Sequence, residues 1–151
     1  MSTRNDIQFA QEFACRVHDG QTYGDKPYRY HLNSVVANVA ELYSLDPDYR
    51  DLCVIAWLHD VLEDTGVAFS CIQSLFGSCV ADAVMSMTRS DEETYGEYIA
   101  RLCANKLAVK VKLADAMANF QQSTKERNYK RMEKYSGVVH TLSRHLSKEE
   151  A

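Results

Sequence analysis

The sequence predicts an all-α fold, a compact orthogonal bundle of helices. Three observations lead there. Apolar residues recur at helical spacing through most of the 151 residues. No stretch alternates with period two for long enough to demand a sheet. Only six Gly and two Pro punctuate the chain, few for a loop-rich β protein. The length is that of one ordinary domain, expected over 1–151, and it suffices to bury a core without staples.

The elements follow in order. Asp6 to His18 carries Ile7, Phe9, Ala10, Phe13, Ala14 and Val17 at helical spacing. Gly20 to Pro27 (GQTYGDKP) reads as a loop. A second helix runs from Tyr30 to Leu42. Asp46-Pro47 reads as an N-cap followed by Pro at the first helical position, opening a helix from Pro47 to Leu62. That helix holds the run Leu52 to Leu58, apolar all round and therefore buried, and Gly66 is a stop signal. Shorter helices cover Phe69 to Phe76 and Ser78 to Met87, separated by Gly77. Thr94-x-x-Glu97 is a capping box opening a helix through Ala104, and Leu107 to Phe120 is another apolar helix. Ser123-x-x-Glu126 reads as a second capping box, opening a last helix of about twenty residues.

The bulk chemistry excludes several classes. The net charge of −4 argues against broad nucleic-acid binding, and the locally basic stretch from Lys125 to Lys148 reads as a solvated helix face. No apolar run approaches the ~20 residues of a membrane span, and Met1 to Gln11 lacks the apolar centre of a signal peptide. The five cysteines are odd in number and form no C-x-x-C, which fits free thiols and a cytoplasmic location.

Chemistry is expected where polar residues interrupt apolar surroundings. His59 and Asp60 end the buried run, and burying them unpaired would cost several kcal/mol by order of magnitude. Glu63 and Asp64 follow one turn later, on the faces of His59 and Asp60. Three carboxylates and an imidazole so close together call for a positive charge between them, which a divalent cation supplies. In the segment Lys110 to Asn119, the side chains of Lys112, Asp115 and Asn119 fall within about 60° of one another on a helix. Ala114, Ala116 and Ala118 let that helix pack closely. His31 opens a helix after Tyr28-Arg29-Tyr30. Each residue alone has a structural explanation: a capped histidine, a Lys112–Asp115 pair, an acidic helix end. Together they make the mixed nitrogen and oxygen set suited to Mn²⁺, Fe²⁺, Zn²⁺ or Mg²⁺.

The order His31 … His59-Asp60 … Asp115 resembles the H…HD…D signature of the HD-domain metal-dependent phosphohydrolases. Within that superfamily the chain is most similar to the (p)ppGpp hydrolases of the stringent response, including the small alarmone hydrolases. The similarity covers Ala14 to His31 (ACRVHDGQTYGDKPYRYH), Trp57 to Thr65 (WLHDVLEDT), a following helix through Thr88, Val111 to Asn119 (VKLADAMAN) and Tyr135. The resemblance implies an HD-type fold. It implies one metal ion held by His31, His59, Asp60 and Asp115, commonly Mn²⁺, with Fe²⁺, Zn²⁺, Mg²⁺ or Ni²⁺ as alternatives. It implies Glu63 and Asp64 as the acid/base pair. Tyr23, Lys26, Lys112, Asn119 and Tyr135 are its candidates for substrate contact, and Arg89 and Lys110 are further sources of positive charge. The family usually carries a basic pair in the first loop, with the arginine packed on guanine. Here those positions read Thr22-Tyr23-Gly24.

The resemblance thus implies a hydrolase releasing the 3′-pyrophosphate of guanosine 3′,5′-bis(diphosphate) or a related nucleotide. Its expected partners are a nucleotide and a second copy of the chain, with no nucleic acid and no membrane. Two alternatives stand beside it. One is an HD phosphohydrolase of another nucleotide or phosphomonoester, favoured by the missing basic pair. The other is a non-catalytic nucleotide-binding HD module, disfavoured by the intact Glu63-Asp64 pair.

Overall fold

In the computed structural model of the chain, residues 5–150 are described; residues 1–4 and 151, which the expected 1–151 unit includes, lie outside them. The order is α1 (Asp6–Val17), a hairpin of β1 (Thr22–Tyr23) and β2 (Lys26–Pro27), α2 (Arg29–Tyr43), α3 (Tyr49–Leu58), α4 (Val61–Asp64), α5 (Phe69–Phe76), α6 (Ser78–Ser86), α7 (Tyr95–Cys103), α8 (Lys106–Lys125) and α9 (Tyr129–Glu150). The all-α class agrees with the sequence. No helix of the described residues is long and apolar enough to cross a membrane.

The centre is α3. Every residue from Leu52 to Leu58 is buried, and the helix packs against α1, α2, α6 and α8. Each fully buried Leu or Ile there contributes about 1.5–3 kcal/mol relative to exposure. The helix α8 lies between α2 and α9, and its buried Ala114, Ala116 and Ala118 permit the close approach that the sequence suggests.

Three junctions differ from the sequence expectation. The predicted helix from Pro47 to Leu62 starts later and breaks. The Asp46 carboxylate accepts the Asp48 N–H at 2.8 Å and the Lys110 ammonium at 2.5 Å, so it closes a turn and α3 begins at Tyr49. The helix stops at Leu58 because Asp60 sits at φ −103°, ψ 2°, in the bridge region, and a new turn, α4, starts from it. The Gly20 to Pro27 loop contains a hairpin: Thr22 pairs with Pro27 and Tyr23 with Lys26. Gly24, at φ 63°, takes the first central position of its two-residue turn, where L-residues with side chains are strained.

The third difference is the α8–α9 junction. Ser123 does not cap a helix. It is buried inside α8, and its hydroxyl donates to the Asn119 carbonyl at 2.6 Å. The helix ends later, where the Arg127 N–H reaches the Thr124 carbonyl at 3.1 Å and the Asn128 N–H reaches the Ser123 carbonyl at 2.9 Å. This is a Schellman closure with Arg127 in the left-handed position at φ 54°. The Asn128 side chain then accepts from the Arg131 N–H at 3.2 Å and caps α9.

Arg127→Gly therefore relieves a left-handed residue and should raise unfolding stability by up to about 1 kcal/mol, measured by chemical denaturation. A helix running through this position would instead lose about 1 kcal/mol on the same change.

Candidate metal centre and active site

Three elements bring the site together. His31 lies in the first turn of α2, His59 closes α3, and Asp115 sits midway along α8. All three are buried, with 3%, 2% and 5% of their surface exposed. One ligand atom of each lies within 4.8 Å of the others, a spacing that can hold a metal ion. The His31 Nε2 lies 2.9 Å from Asp115 Oδ1. Asp60 is adjacent: its Oδ2 is 3.0 Å from His59 Nε2 and 4.0 Å from His31 Nε2. The Tyr28 hydroxyl donates to the same Asp60 oxygen.

The donor set fits a divalent ion. The His59 Nδ1–H donates to the Ala56 carbonyl at 2.7 Å, which fixes the tautomer and leaves the Nε2 lone pair facing the carboxylates. That buried Nε2 has no properly directed hydrogen bond, although Asp60 and Asp115 oxygens lie 3.0 and 3.5 Å away. A buried nitrogen lone pair aimed between two carboxylates is a ligand geometry rather than a hydrogen-bond geometry.

The electrostatics agree. Burial opposes charge on His59, Asp60 and Asp115. Yet Lys112, then His31 and His59, hold the Asp115 carboxyl well below the usual range. Burial likewise opposes ionisation of Asp60, but the neighbouring His59 brings it down to about 2. Against the same burial, Asp60 and Asp115 hold His59 well above its usual value. Both carboxylates are kept charged, and the cluster draws in positive charge, a proton or a metal ion.

The other predicted residues divide between those the fold gathers and those it does not. Lys112 Nζ pairs with Asp115 Oδ2 at 3.0 Å, and the Asn119 amide donates to Asp115 Oδ1 at 3.3 Å. The Tyr23 hydroxyl donates to Asn119 Oδ1 at 2.6 Å, while its ring stacks on His31 at 4.6 Å. Glu63, Arg89, Lys112, Asn119 and Tyr135 line one cavity of about 270 Å³ that reaches Asp115. Partial burial, then Asp60 and Asp64, raise the Glu63 carboxyl, against the Arg89 backbone N–H that donates to its Oε1 at 3.0 Å. Asp64 Oδ2 accepts the Gln21 amide at 3.0 Å. Lys26 stays outside this cavity, with its ammonium 5.2 Å from the centre of the Tyr30 ring. Lys110 does not serve the site: it pairs with Asp46 at 2.5 Å, turned away from Asp115.

Sequence reasoning missed Arg131 and Gln21. The Arg131 guanidinium of α9 lies 5.5 Å from the centre of the Tyr135 ring, and its charge acts on the Tyr23 hydroxyl against the effect of burial. The available signal was its position one turn before Tyr135.

Comparison with known proteins places the chain. It is 30% identical over 152 residues to the bifunctional (p)ppGpp synthase/hydrolase SpoT of Escherichia coli (strain K12), covering 88% of the chain and 21% of that protein. It is 32% identical over 117 residues to guanosine-3′,5′-bis(diphosphate) 3′-pyrophosphohydrolase MESH1 of Danio rerio, covering 72% of the chain and 64% of that protein. The chain is a homologue of the (p)ppGpp hydrolases. A further relative, the guanosine-3′,5′-bis(diphosphate) 3′-pyrophosphohydrolase of Aquifex aeolicus (strain VF5), is 30% identical over 91% of the chain and 21% of its own length. The chain spans about a fifth of the length of these bacterial relatives. No family model matches it. A solved structure described as "A metazoan ortholog of SpoT hydrolyzes ppGpp and plays a role in starvation responses" superposes with a TM-score of 0.69 at 19% identity, covering 99% of this chain and 98% of that one. The homologue thus shares the HD-type helical fold with that protein.

Because His59 Nε2 must be unprotonated to bind a metal, proton and ion compete for it. The His59 value is raised, so metal affinity should fall as pH drops through that raised value and recover above it. Calorimetric titration of Mn²⁺ in two buffers of different ionisation enthalpy should register proton release. Identical heats in both buffers at pH 6 would contradict this.

Proposed function

We propose that this protein is a Mn²⁺-dependent phosphohydrolase that removes the 3′-pyrophosphate from guanosine 3′,5′-bis(diphosphate) or a closely related nucleotide, in the cytoplasm. The observation that carries the reading is the junction of two features. A buried His31, His59 and Asp115 cluster, with Asp60 beside it, meets at Asp115 a cavity lined by Glu63 and by three cationic side chains, Arg89, Lys112 and Lys134. The relatives whose names specify this activity give the substrate class. The free thiols of Cys15, Cys53, Cys71, Cys79 and Cys103 support the location.

His31, His59, Asp60 and Asp115 would hold the ion, which when bound acts as a Lewis acid and activates water. The remaining chemistry belongs to the chain. Water adds to phosphorus, the bond from phosphorus to O3′ breaks, and O3′ requires a proton. Glu63, its carboxyl raised by partial burial and by the Asp60 and Asp64 charges, is suited to supply that proton. Asp64, held by the Gln21 amide, is the acceptor for the water proton. Lys112 keeps its charge because Asp115 outweighs the burial that opposes it, and it faces the cavity with Arg89. A more apolar cavity of about 300 Å³ adjoins, sharing Tyr95, Lys134 and Val138 with the first. Phosphates in the polar compartment and a nucleoside ring towards the apolar one match this division.

A second reading, hydrolysis of a different nucleotide, draws on one observation. Tyr23 takes the place of the family's base-packing arginine, and one face of its ring is already covered by His31.

Incubation of Mn²⁺-loaded protein with a nucleotide panel should release pyrophosphate from guanosine 3′,5′-bis(diphosphate). Orthophosphate released from nucleoside monophosphates alone would favour the second reading. Asp60→Ala should abolish metal binding and hydrolysis together, whereas Glu63→Gln should keep the metal and lose about 10²–10⁴-fold in turnover. Full activity in Asp60→Ala would show the site assignment to be wrong.

A further inference from the structure

The end of α1, just before the first loop, carries a buried histidine that the proposed mechanism does not use. His18 closes α1 and is 3% exposed. Its Nδ1 lies 2.8 Å from Gln21 Oε1, and its Nε2 is buried with no partner. The Gln21 amide in turn donates to Asp64 Oδ2 at 3.0 Å.

The donors along this path have a single consistent direction. An ionised Asp64 only accepts, so the Gln21 Nε2–H must donate to it. That orientation leaves Gln21 Oε1 pointing back, and an amide oxygen also only accepts. His18 Nδ1 must therefore carry a proton and donate. Neutral His18 is then the Nδ1–H tautomer, and the partnerless atom is the bare Nε2 lone pair. A charged imidazolium would place an N–H where nothing receives it.

The backbone holds the same path. The Gln21 N–H bonds to the His18 carbonyl at 2.9 Å, and the Tyr28 N–H bonds to the Gln21 carbonyl at 3.0 Å. The His18 ring lies 4.7 Å from the Tyr28 ring, tilted by 33°, and the Tyr28 hydroxyl donates to Asp60. One buried side chain thus stands behind both carboxylates, Asp64 through Gln21 and Asp60 through Tyr28. By contrast, Asp64 itself is exposed at the end of a four-residue helix, where nothing in α4 would fix its rotamer.

We infer that His18 and Gln21 are positioning residues that hold the Asp64 carboxylate in its working orientation through a directed chain of hydrogen bonds, His18 Nδ1–H to Gln21 and the Gln21 amide to Asp64. This rests on the reading of Asp64 as the proton acceptor. The chain predicts a loss of turnover that disappears when Asp64 is already disabled.

The test uses guanosine 3′,5′-bis(diphosphate) with Mn²⁺ and the full-length protein. Gln21→Leu should lower kcat by about 10- to 100-fold, the range for losing a supporting hydrogen bond, with KM and Mn²⁺ affinity within about twofold of wild type. His18→Ala should do the same, and His18→Asn, whose amide can donate from nearly the Nδ1 position, should recover most of the loss. In an Asp64→Asn background neither change should reduce kcat further. The inference is overturned if Gln21→Leu leaves kcat unchanged, or if its penalty is undiminished in the Asp64→Asn background. It is also overturned if His18→Asn is as impaired as His18→Ala while both melt at the wild-type temperature. These outcomes are distinct from failure of the functional reading, which would show as a wild-type protein that hydrolyses none of the nucleotides.

Discussion

A buried, ionised carboxylate at Asp115 is the constraint on which the rest of the structure depends. It is 5% exposed and surrounded by helices, where an uncompensated charge would cost several kcal/mol. The protein answers with Lys112 at 3.0 Å, His31 at 2.9 Å and the Asn119 amide at 3.3 Å. These groups come from two helices, so neutralising Asp115 fixes how α2 meets α8. The alanines flanking Asp115 allow the approach, and His59 at the end of α3 completes the ring of polar groups. Folding and site assembly are here the same event. A helix packing that failed to bring His31 and His59 to Asp115 would leave the charge stranded.

The break in the central helix follows from the same demand. A continuous helix through Asp60 would carry its side chain around at ~100° per residue and could not set consecutive residues, His59 and Asp60, towards one point. The bridge conformation at Asp60 solves this. The Asp60 carbonyl still receives the Asp64 N–H at 2.9 Å, so α4 restarts at once. Its short turn then carries Glu63 and Asp64 beside the cluster. The local departure from helix geometry is what gathers four polar side chains at the edge of an otherwise apolar core.

This explains which parts were legible in the sequence. His59 and Asp115 were readable because polar residues in apolar surroundings are penalised unless something holds them, and His31 through its place in the H…HD…D order; the structure finds the three buried together. The helix break was not readable, since Leu52 to Leu62 has no propensity signal against a continuous helix. Ser123-x-x-Glu126 misled because a serine inside a helix can bond the carbonyl four residues back, and its pattern then imitates a cap. The true stop depends on Arg127 accepting a left-handed conformation, which no residue preference announces. Helical spacing already set Lys112 beside Asp115, whereas Lys110, expected as a further positive charge, lies about 200° round the helix from Lys112 and meets Asp46 instead. Gln21 was silent because its partner Asp64 lies far along the chain, and only the fold brings the amide to the carboxylate.

The first loop shows how a departure in one element can be answered by another. Tyr23 brings no guanidinium, and a tyrosine ring stacked on His31 cannot present that face to a base as well. Its hydroxyl instead closes a path to the buried cluster, donating to Asn119, whose amide donates to Asp115. Burial, moderated by Arg131, pushes that hydroxyl up to about 12, so it remains a proton donor throughout the physiological range. A guanidinium on α9 lies nearby: Arg131 is 5.5 Å from the centre of the Tyr135 ring, and its charge acts on Tyr23. Under the proposed reading, the cations that line the cavity, Arg89, Lys112 and Lys134, make recognition rest on the phosphates more than on the identity of the ring.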